Sequence, residues 1–350
     1  MLTIPITYNI RNIWVRKVSA LLAIMGVALA VGVFLIVMML VHGLRYALVQ
    51  SGSESNAIVL RKGATAETLS GIARDWADVI STAPEIALAA DGTRLIAAEA
   101  VVGVNLPRRG RTGTRSGSNV TVRGIVPASL ALREQVRILE GRPITAGRPE
   151  IIAGRNASRG FENCQLGGSI RMGGLDWRIV GVFEAAGSAF ESELWGDREL
   201  LMNAYGRENS FSSVTLRMKE PGHDVASMQE RFDGDPRLNV LVQTERAYYE
   251  ASSAALTLLI SILGGVLVVL FSIGAVMGAM VTMFAFVGSR TREIATLRAL
   301  GFTRLAIITC FMIESFLLTL VGGLLASIPA RFVQQLTFST TNFNTFTDVP

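Results

Sequence analysis

The sequence predicts an α-helical membrane protein with three spans and one extracytoplasmic α+β domain, and three observations lead there. Apolar runs at 18–40, 254–287 and 305–328 each exceed the ~20 residues needed to cross a hydrocarbon core ~30 Å thick. The polar stretches 1–17 and 288–304 each carry a net charge of +3, whereas residues 44–253 hold 25 basic and 25 acidic residues and are neutral. That long neutral section alternates strand-like and turn-like segments.

The charge pattern also sets topology. A chain with a net charge of +5 could in principle bind nucleic acid, but its excess lies beside the apolar runs, where it reads as the positive-inside signal. Residues 1–17, with Arg11, Arg16 and Lys17, form a cytoplasmic lead, and 18–43 form the first span. Its 23-residue apolar core is longer than the ~7–15 residues of a signal peptide, and 42–53 offer no clear small-x-small cleavage site. Gly26, Ala30 and Gly32 are small enough to permit close helix packing, or reflect only the frequency of glycine in such helices.

The outer section 44–253 opens with a strand at 57–60, followed by a helix over 65–80. Residues 106–119 (LPRRGRTGTRSGSN) have the composition of a solvated loop, the alternative being an arginine site for anions or lipid headgroups. Strands follow at 120–126, 151–153, 169–172 and 177–183, the last two forming a hairpin around Gly173 and Gly174. A helix at 197–205, a strand at 213–218, a helix at 225–232 and a strand at 238–242 complete a small, mainly antiparallel core with an inserted lobe.

Candidate chemistry is sparse. Glu191 and Glu193 stand two apart, the spacing of one strand face, and so suit an acid/base pair. No nucleophile accompanies them, and a hydrogen-bonded loop is the preferred reading. With two histidines and two cysteines no metal cluster is expected, and neither a Walker A motif nor a G-x-S-x-G elbow occurs. No cofactor, catalytic residue or metal ligand is therefore predicted. Glu314, ten residues into the third span, would cost ~2.5–3.5 kcal/mol if it were ionised facing lipid. It serves either as a relay or substrate contact, or as a hydrogen-bond partner of a neighbouring span; the second reading is preferred.

The connector 288–304 holds the clearest signal. Within SRTREIATLRALGFTR, Ile294, Leu297 and Leu300 recur at helical spacing, and Arg292 and Arg298 fall off that stripe. Gly301 follows the last periodic residue, where a left-handed cap favours glycine, and Arg298 suits the negative end of the helix dipole. On spacing alone, topology marking and a docking helix are equally good readings.

REIATLRALGFTR, followed by an apolar run with an early glutamate, resembles the cytoplasmic coupling segment of FtsX-like ABC transporter permeases. This superfamily includes MacB, the lipoprotein-release permeases and FtsX. VTVRGI at 120–125, LEGRPI at 139–144, EIIAG at 150–154, LGGSIRMGG at 166–174 and WRIVGVFEAAGSAFESELW at 177–195 similarly follow, in order, the MacB-like periplasmic core domain of that family. The resemblance implies a non-catalytic permease subunit in the bacterial inner membrane. Its partners would be a separate ABC ATPase, a second copy or a related permease in a dimer, membrane lipid and, as a further candidate, a periplasmic adaptor protein. It implies ATPase coupling through Arg290, Arg292, Glu293, Ile294, Leu297, Arg298, Leu300 and Gly301. The family commonly has four spans; here 329–350 is polar and aromatic, which reads as an outer loop at the end of a truncated chain. A membrane-anchored extracytoplasmic sensor, or an FtsX-like regulator of an outside enzyme, is the rival reading.

Overall fold

The ten-stranded sheet at the centre of this chain is longer and more mixed than the alternating segments suggest. The computed structural model describes residues 17–49, 52–110, 117–289, 291–333, 338–341 and 346–349. It divides into one unit of residues 1–42 with 256–336, and a second of 43–255 with 337–350.

The first unit is helical. Helix α1 spans Lys17–Val49, and the unit also takes most of a helix over Glu245–Ser289, a short helix over Thr291–Ala299, and one over Arg304–Val333. Among the described residues one stretch, Ala20–Met39, is long and apolar enough to cross a membrane by length and composition; Ser261–Gly274 and Ser315–Ile328 are shorter apolar stretches. Small residues do let these helices approach, but not Gly26 or Gly32 of α1. A Cβ at Gly322 would stand 2.9 Å from the Ile24 carbonyl oxygen and 3.0 Å from Val27 Cβ, and one at Gly264 would collide with Val37. Around Gly26 and Gly32 the space is open. Glycine on the partner helices replaces a knob with a hole at each crossing.

The second unit carries strands β1 (Asn56–Arg61), β2 (Ile72–Ala73), β3 (Ile96–Pro107), β4 (Gly117–Ile125), β5 (Arg137–Gly141), β6 (Glu150–Gly154), β7 (Ser169–Met172), β8 (Leu175–Glu184), β9 (Leu194–Asp197), β10 (Ser210–Phe211), β11 (Ser213–Arg217) and β12 (Val240–Thr244). Its main sheet runs β12-β1-β11-β3-β4-β9-β6-β8-β5, with β7 also paired to β8. Most pairs are antiparallel, but β4 with β9 and β6 with β8 are parallel. Helices α2 (Arg74–Ser81), α3 (Pro127–Leu132), α4 (Arg155–Gly160), α5 (Arg198–Ala204) and α6 (Asp224–Asp233) connect the strands, and α7 (Glu245–Ser289) follows β12 directly. Helix α8 is Thr291–Ala299 and α9 is Arg304–Val333. A small hairpin, β13 (Phe338–Thr341) with β14 (Phe346–Val349), belongs to this unit.

Strand alternation distributes the core. Ala57 and Val59 pack in one cluster with α2 and α6 residues Ile80 and Met228, while Ile58 and Leu60 face another holding Phe183, Phe190, Trp195, Tyr248 and Tyr249. A third cluster gathers Val122, Ile151, Phe161, Trp177 and Leu201. The expected hairpin forms with Ile170 opposite Trp177, and both turn glycines have positive φ (57° and 80°), as a tight two-residue connection demands.

Three expectations change. The helix expected over 65–80 is a 3₁₀ turn (Glu67–Leu69), the short β2 and then α2, because Ser70 donates and accepts in place of helical bonds: its hydroxyl accepts from Arg61 N and its N–H reaches the Glu67 carbonyl. The loop expected over 106–119 is strand at both ends, paired as far as Pro107 opposite Gly117; residues 111–116 lie outside the described ones. In place of a small core with an inserted lobe, one mixed sheet runs through the unit.

Candidate functional site

Two places in the chain combine charge with unusual local structure: the connector before α9 and the middle of the ten-stranded sheet. In the connector, α8 ends as its sequence requires. The N–H of Leu300 donates to the Thr296 carbonyl (2.9 Å) and that of Gly301 to the Arg298 carbonyl (3.1 Å). Gly301 has φ +93°, the left-handed region, so a Cβ there would be strained. The Thr303 hydroxyl then accepts from Ala306 N (3.2 Å) and starts α9 as an N-cap. Arg292, Arg298 and Leu300 are exposed and Ile294 is half-buried. Arg290 lies outside the described residues, as do the side chains of Glu293, Leu297 and Glu314.

The sheet holds a buried cluster of ionised groups. Arg123, on β4, donates through Nε to Glu193 Oε2 (2.8 Å), through Nη1 to Glu67 Oε1 (2.8 Å) and Glu99 Oε2 (2.9 Å), and through Nη2 to Glu67 Oε2 and Glu193 Oε1. Arg133, just past α3, donates through both Nη atoms to Glu99 (2.6 and 2.8 Å). The Ser213 hydroxyl and the Trp195 indole N–H donate to Glu67 and Glu193. Phe190 lies against both guanidinium groups, 5.5 and 4.9 Å from its ring centre. Glu245, the first residue of α7, completes the cluster.

Arginine fits such a site because its planar fork serves several carboxylates at once, where lysine offers a point charge. Burial pushes the Glu99 carboxyl up, but Arg133 and Arg123 outweigh it and hold the group at about 2. Glu67 is likewise held below the ordinary range: burial raises it, while Arg123 and the Ser213 hydroxyl more than reverse that. Nothing reactive is poised here; the arrangement locks the 3₁₀ turn at 67–69, β3, β4 and the 189–193 segment around one cation.

Glu191 and Glu193 do not form an acid/base pair. Glu191 accepts from the N–H groups of Ala185 (2.9 Å) and Gly187 (2.8 Å) and faces Arg155, closing its own loop. Glu193 faces the other way, onto Arg123. Sequence reasoning singled out Glu193 but missed Glu67, Glu99, Arg123, Arg133 and Glu245. The available signal was an ionisable residue at the centre of an apolar strand, Glu99 in IAAEAVV and Arg123 in VTVRGI, since lone buried charges are excluded and opposite ones must meet.

Residues 20–245 match the MacB-like periplasmic core domain and residues 253–350 the FtsX-like permease C-terminal domain. The macrolide export ATP-binding/permease protein MacB of Vibrio parahaemolyticus is 28% identical over 204 residues, covering 55% of this chain and 29% of that protein. The uncharacterized ABC transporter permease YknZ of Bacillus subtilis is 28% identical over 225 residues, covering 59% of this chain and 55% of that one. Thus the matches span less than a third of MacB and about half of YknZ. Of solved structures, the periplasmic region of MacB from Actinobacillus actinomycetemcomitans superposes with a TM-score of 0.41 at 11% identity, over 55% of this chain and 90% of that one. The extracellular domain of YknZ gives 0.38 at 16% identity, over 54% and 100%. A MacB-like periplasmic core domain over most of the length, followed by an FtsX-like permease domain, shows that the chain belongs to the FtsX-like ABC transporter permeases.

Proposed function

We propose that this permease turns the ATP-driven motion of a separate ATPase into motion of its outer unit, in order to export or extract a substrate. The observation that carries the reading is α8, a short helix with a left-handed glycine cap, set in a +3 connector between two long apolar helices. A plain connector needs neither a helix nor a fixed exit angle. In this reading α1, α7 and α9 each span the membrane, with the N-terminus and α8 in the cytoplasm and residues 44–253 outside the inner membrane. Large apolar side chains left open on these helices, Leu22, Leu263, Met277, Phe284 and Met312 among them, suit lipid contact. The working form is a dimer, of two copies or with a related permease. Export is preferred to extraction because the MacB relative is named for export.

Topology is testable by labelling. With Cys310 replaced by serine, a cysteine at Ser116 should react with an impermeant maleimide in intact spheroplasts, and one at Thr296 should react only after the membrane is opened. Cys164 gives no background, being buried with its thiol pushed up to about 12 by burial. The opposite labelling pattern would reject the orientation.

Coupling is tested at Leu297 and Gly301. A carboxylate at Leu297 that must be buried unpaired in a protein groove costs ~3 kcal/mol or more, so Leu297→Asp should weaken ATPase association at least about a hundredfold. Gly301→Val forces a β-branched residue into the left-handed region and should re-aim α9 with similar loss. Both variants should still insert. Full association and ATPase stimulation in both would reduce the connector to a topological anchor.

A further inference from the structure

The two passages by which the chain enters and leaves the outer unit lie side by side, and one carboxylate joins them. Residues 52–56 lead into β1, and residues 244–250 lead from β12 into α7. Gly52 abuts the second passage so closely that a Cβ there would stand 2.5 Å from Arg246 Cα and 2.6 Å from its nitrogen. Across this contact, Glu245 Oε2 accepts from the Ser53 N–H (3.2 Å) and from Asn56 Nδ2 (3.0 Å). An outer pair, Arg246 with Glu54 (2.6 Å), lies in solvent and adds little.

Glu245 is unusual among the buried groups. It is 1% exposed, yet its second oxygen, Oε1, has no hydrogen-bond partner among the described residues. The nearest cation, Arg133 Nη2, stands 3.8 Å from that oxygen and already donates to Glu99. The cluster holds four carboxylates, Glu67, Glu99, Glu193 and Glu245, against two guanidinium groups, Arg123 and Arg133. Arg123 is taken up by the other three carboxylates, so Glu245 is the one left worst compensated.

We infer that the Glu245 carboxyl is a proton-controlled clasp: neutral, it holds the entry passage 52–56 to the first turn of α7, and ionised, it loosens that attachment. Every group facing it bears on the direction. Burial resists ionisation most strongly, and the Glu99 carboxylate on β3 adds to that. Arg133 past α3, Asn56 on β1 and the Ser53 N–H oppose both, without cancelling them, and the group stays above the ordinary glutamate value. On its own helix the neighbours are the phenols Tyr248 and Tyr249, pushed up by burial and by nearby carboxylates and so neutral. Opening the clasp returns Glu245 to water and to its ordinary value. The closed form therefore binds more protons between the two values, and raising the pH through that window favours opening; below the ordinary value closure is fully present. Glu99, at about 2, and Glu67, held low, titrate beneath the window, and both guanidinium groups stay charged.

Amide hydrogen exchange at Ser53 reads the clasp directly. The full chain in lipid nanodiscs, without any ATPase, keeps the result independent of the transport reading. After correction for intrinsic rate, the opening constant of the wild type should climb between pH 4.5 and 8, at a slope of up to about tenfold per unit. Glu245→Gln keeps an oxygen for Ser53 and Asn56 and cannot ionise, so it should be flat with pH and as protected as the wild type at pH 4.5. Glu245→Ala removes the acceptor and should open roughly tenfold more than the wild type does at pH 4.5, without change as the pH rises. A wild type that is flat, or that tightens with pH, overturns the inference, as does an alanine variant protected like the wild type at pH 4.5. If the alanine variant does not fold, the wild type against Glu245→Gln decides.

Discussion

Arg123→Met is expected to leave no stably folded sheet unit at neutral pH. Methionine fills much of the space, but Glu67 and Glu193 lose their cation inside the sheet, and Glu99 is left with Arg133 alone. Removing one partner of a single buried pair costs ~3–5 kcal/mol, against a total domain stability of ~5–15. Three carboxylates share this loss, so the upper part of that range, or more, is reached. The pH response should also reverse. In the wild type, Glu67 and Glu99 are held low, so the stability they contribute is present above the ordinary carboxylate value and is lost as pH falls through their lowered values, about 2 for Glu99. Without Arg123, burial dominates at Glu67 and its folded value rises, while Glu99 keeps Arg133, so the variant gains stability from Glu67 as pH falls toward 4. Thermal unfolding and limited proteolysis of the full chain at pH 4.5 and 7.5 would show both effects. Arg123→Lys should lie between, since one ammonium cannot serve three carboxylates. A methionine variant that melts within a degree or two of the wild type would remove the cluster from any account of how this unit is held.

The helices and strands most legible in the sequence are those whose side chains all point one way thermodynamically. The 169–183 hairpin was readable because two glycines sit where both turn residues need positive φ, and the flanking residues alternate. Gly301 was readable for the same reason. By contrast β3 went unread, although it is the longest strand. IAAEAVVGVNLP is buried on both faces over much of its length, so alternation is lost, and Glu99 in its middle breaks the apolar run. Alanine and glycine also give it little strand propensity; pairing with β4 and β11 decides its state. The 65–80 segment fails in the opposite sense. Its composition suits a helix, but Glu67 is drawn to Arg123 and Ser70 to Arg61, contacts made 56 and 9 residues away.

The site divides along the same line. The connector's chemistry is local, so spacing and a cap residue reveal it. The buried cluster draws on residues from 67 to 245, each unremarkable alone, and only the sheet order β11-β3-β4-β9 brings them together. Glu193 illustrates the difference: it is conspicuous beside Glu191, and the neighbour in sequence is not its partner in space.

Gly154→Ala, a single added methyl group, is expected to lower the melting temperature of the sheet unit by about 5–10 °C. In EIIAG this glycine reads as a turn marker, yet its φ is −61°, a value open to any residue. What it supplies is space. A Cβ there would collide with the carbonyl group of Glu191 and stand 2.7 Å from its Cα, all backbone that cannot rotate away. Gly154 N also donates to the Glu193 carbonyl (2.9 Å), so the two segments are tied where they touch. To admit the methyl group the 3₁₀ turn Ala189–Ser192 must move, and it carries Phe190, packed edge-on against Trp195 and Tyr249. Glu193, the next residue, would be drawn off Arg123. Overpacking of this kind costs ~1–3 kcal/mol, at ~2–4 °C per kcal/mol for a domain of this size. The environment of Trp195 should shift with it, read as a change in near-ultraviolet circular dichroism. Gly103→Ala is the control: the space there is open and the strand backbone takes any residue, so its melting point should match the wild type or exceed it slightly. If Gly154→Ala melts with Gly103→Ala and leaves the tryptophan signal unchanged, the close approach of β6 to the Glu191 backbone is not what this glycine is for.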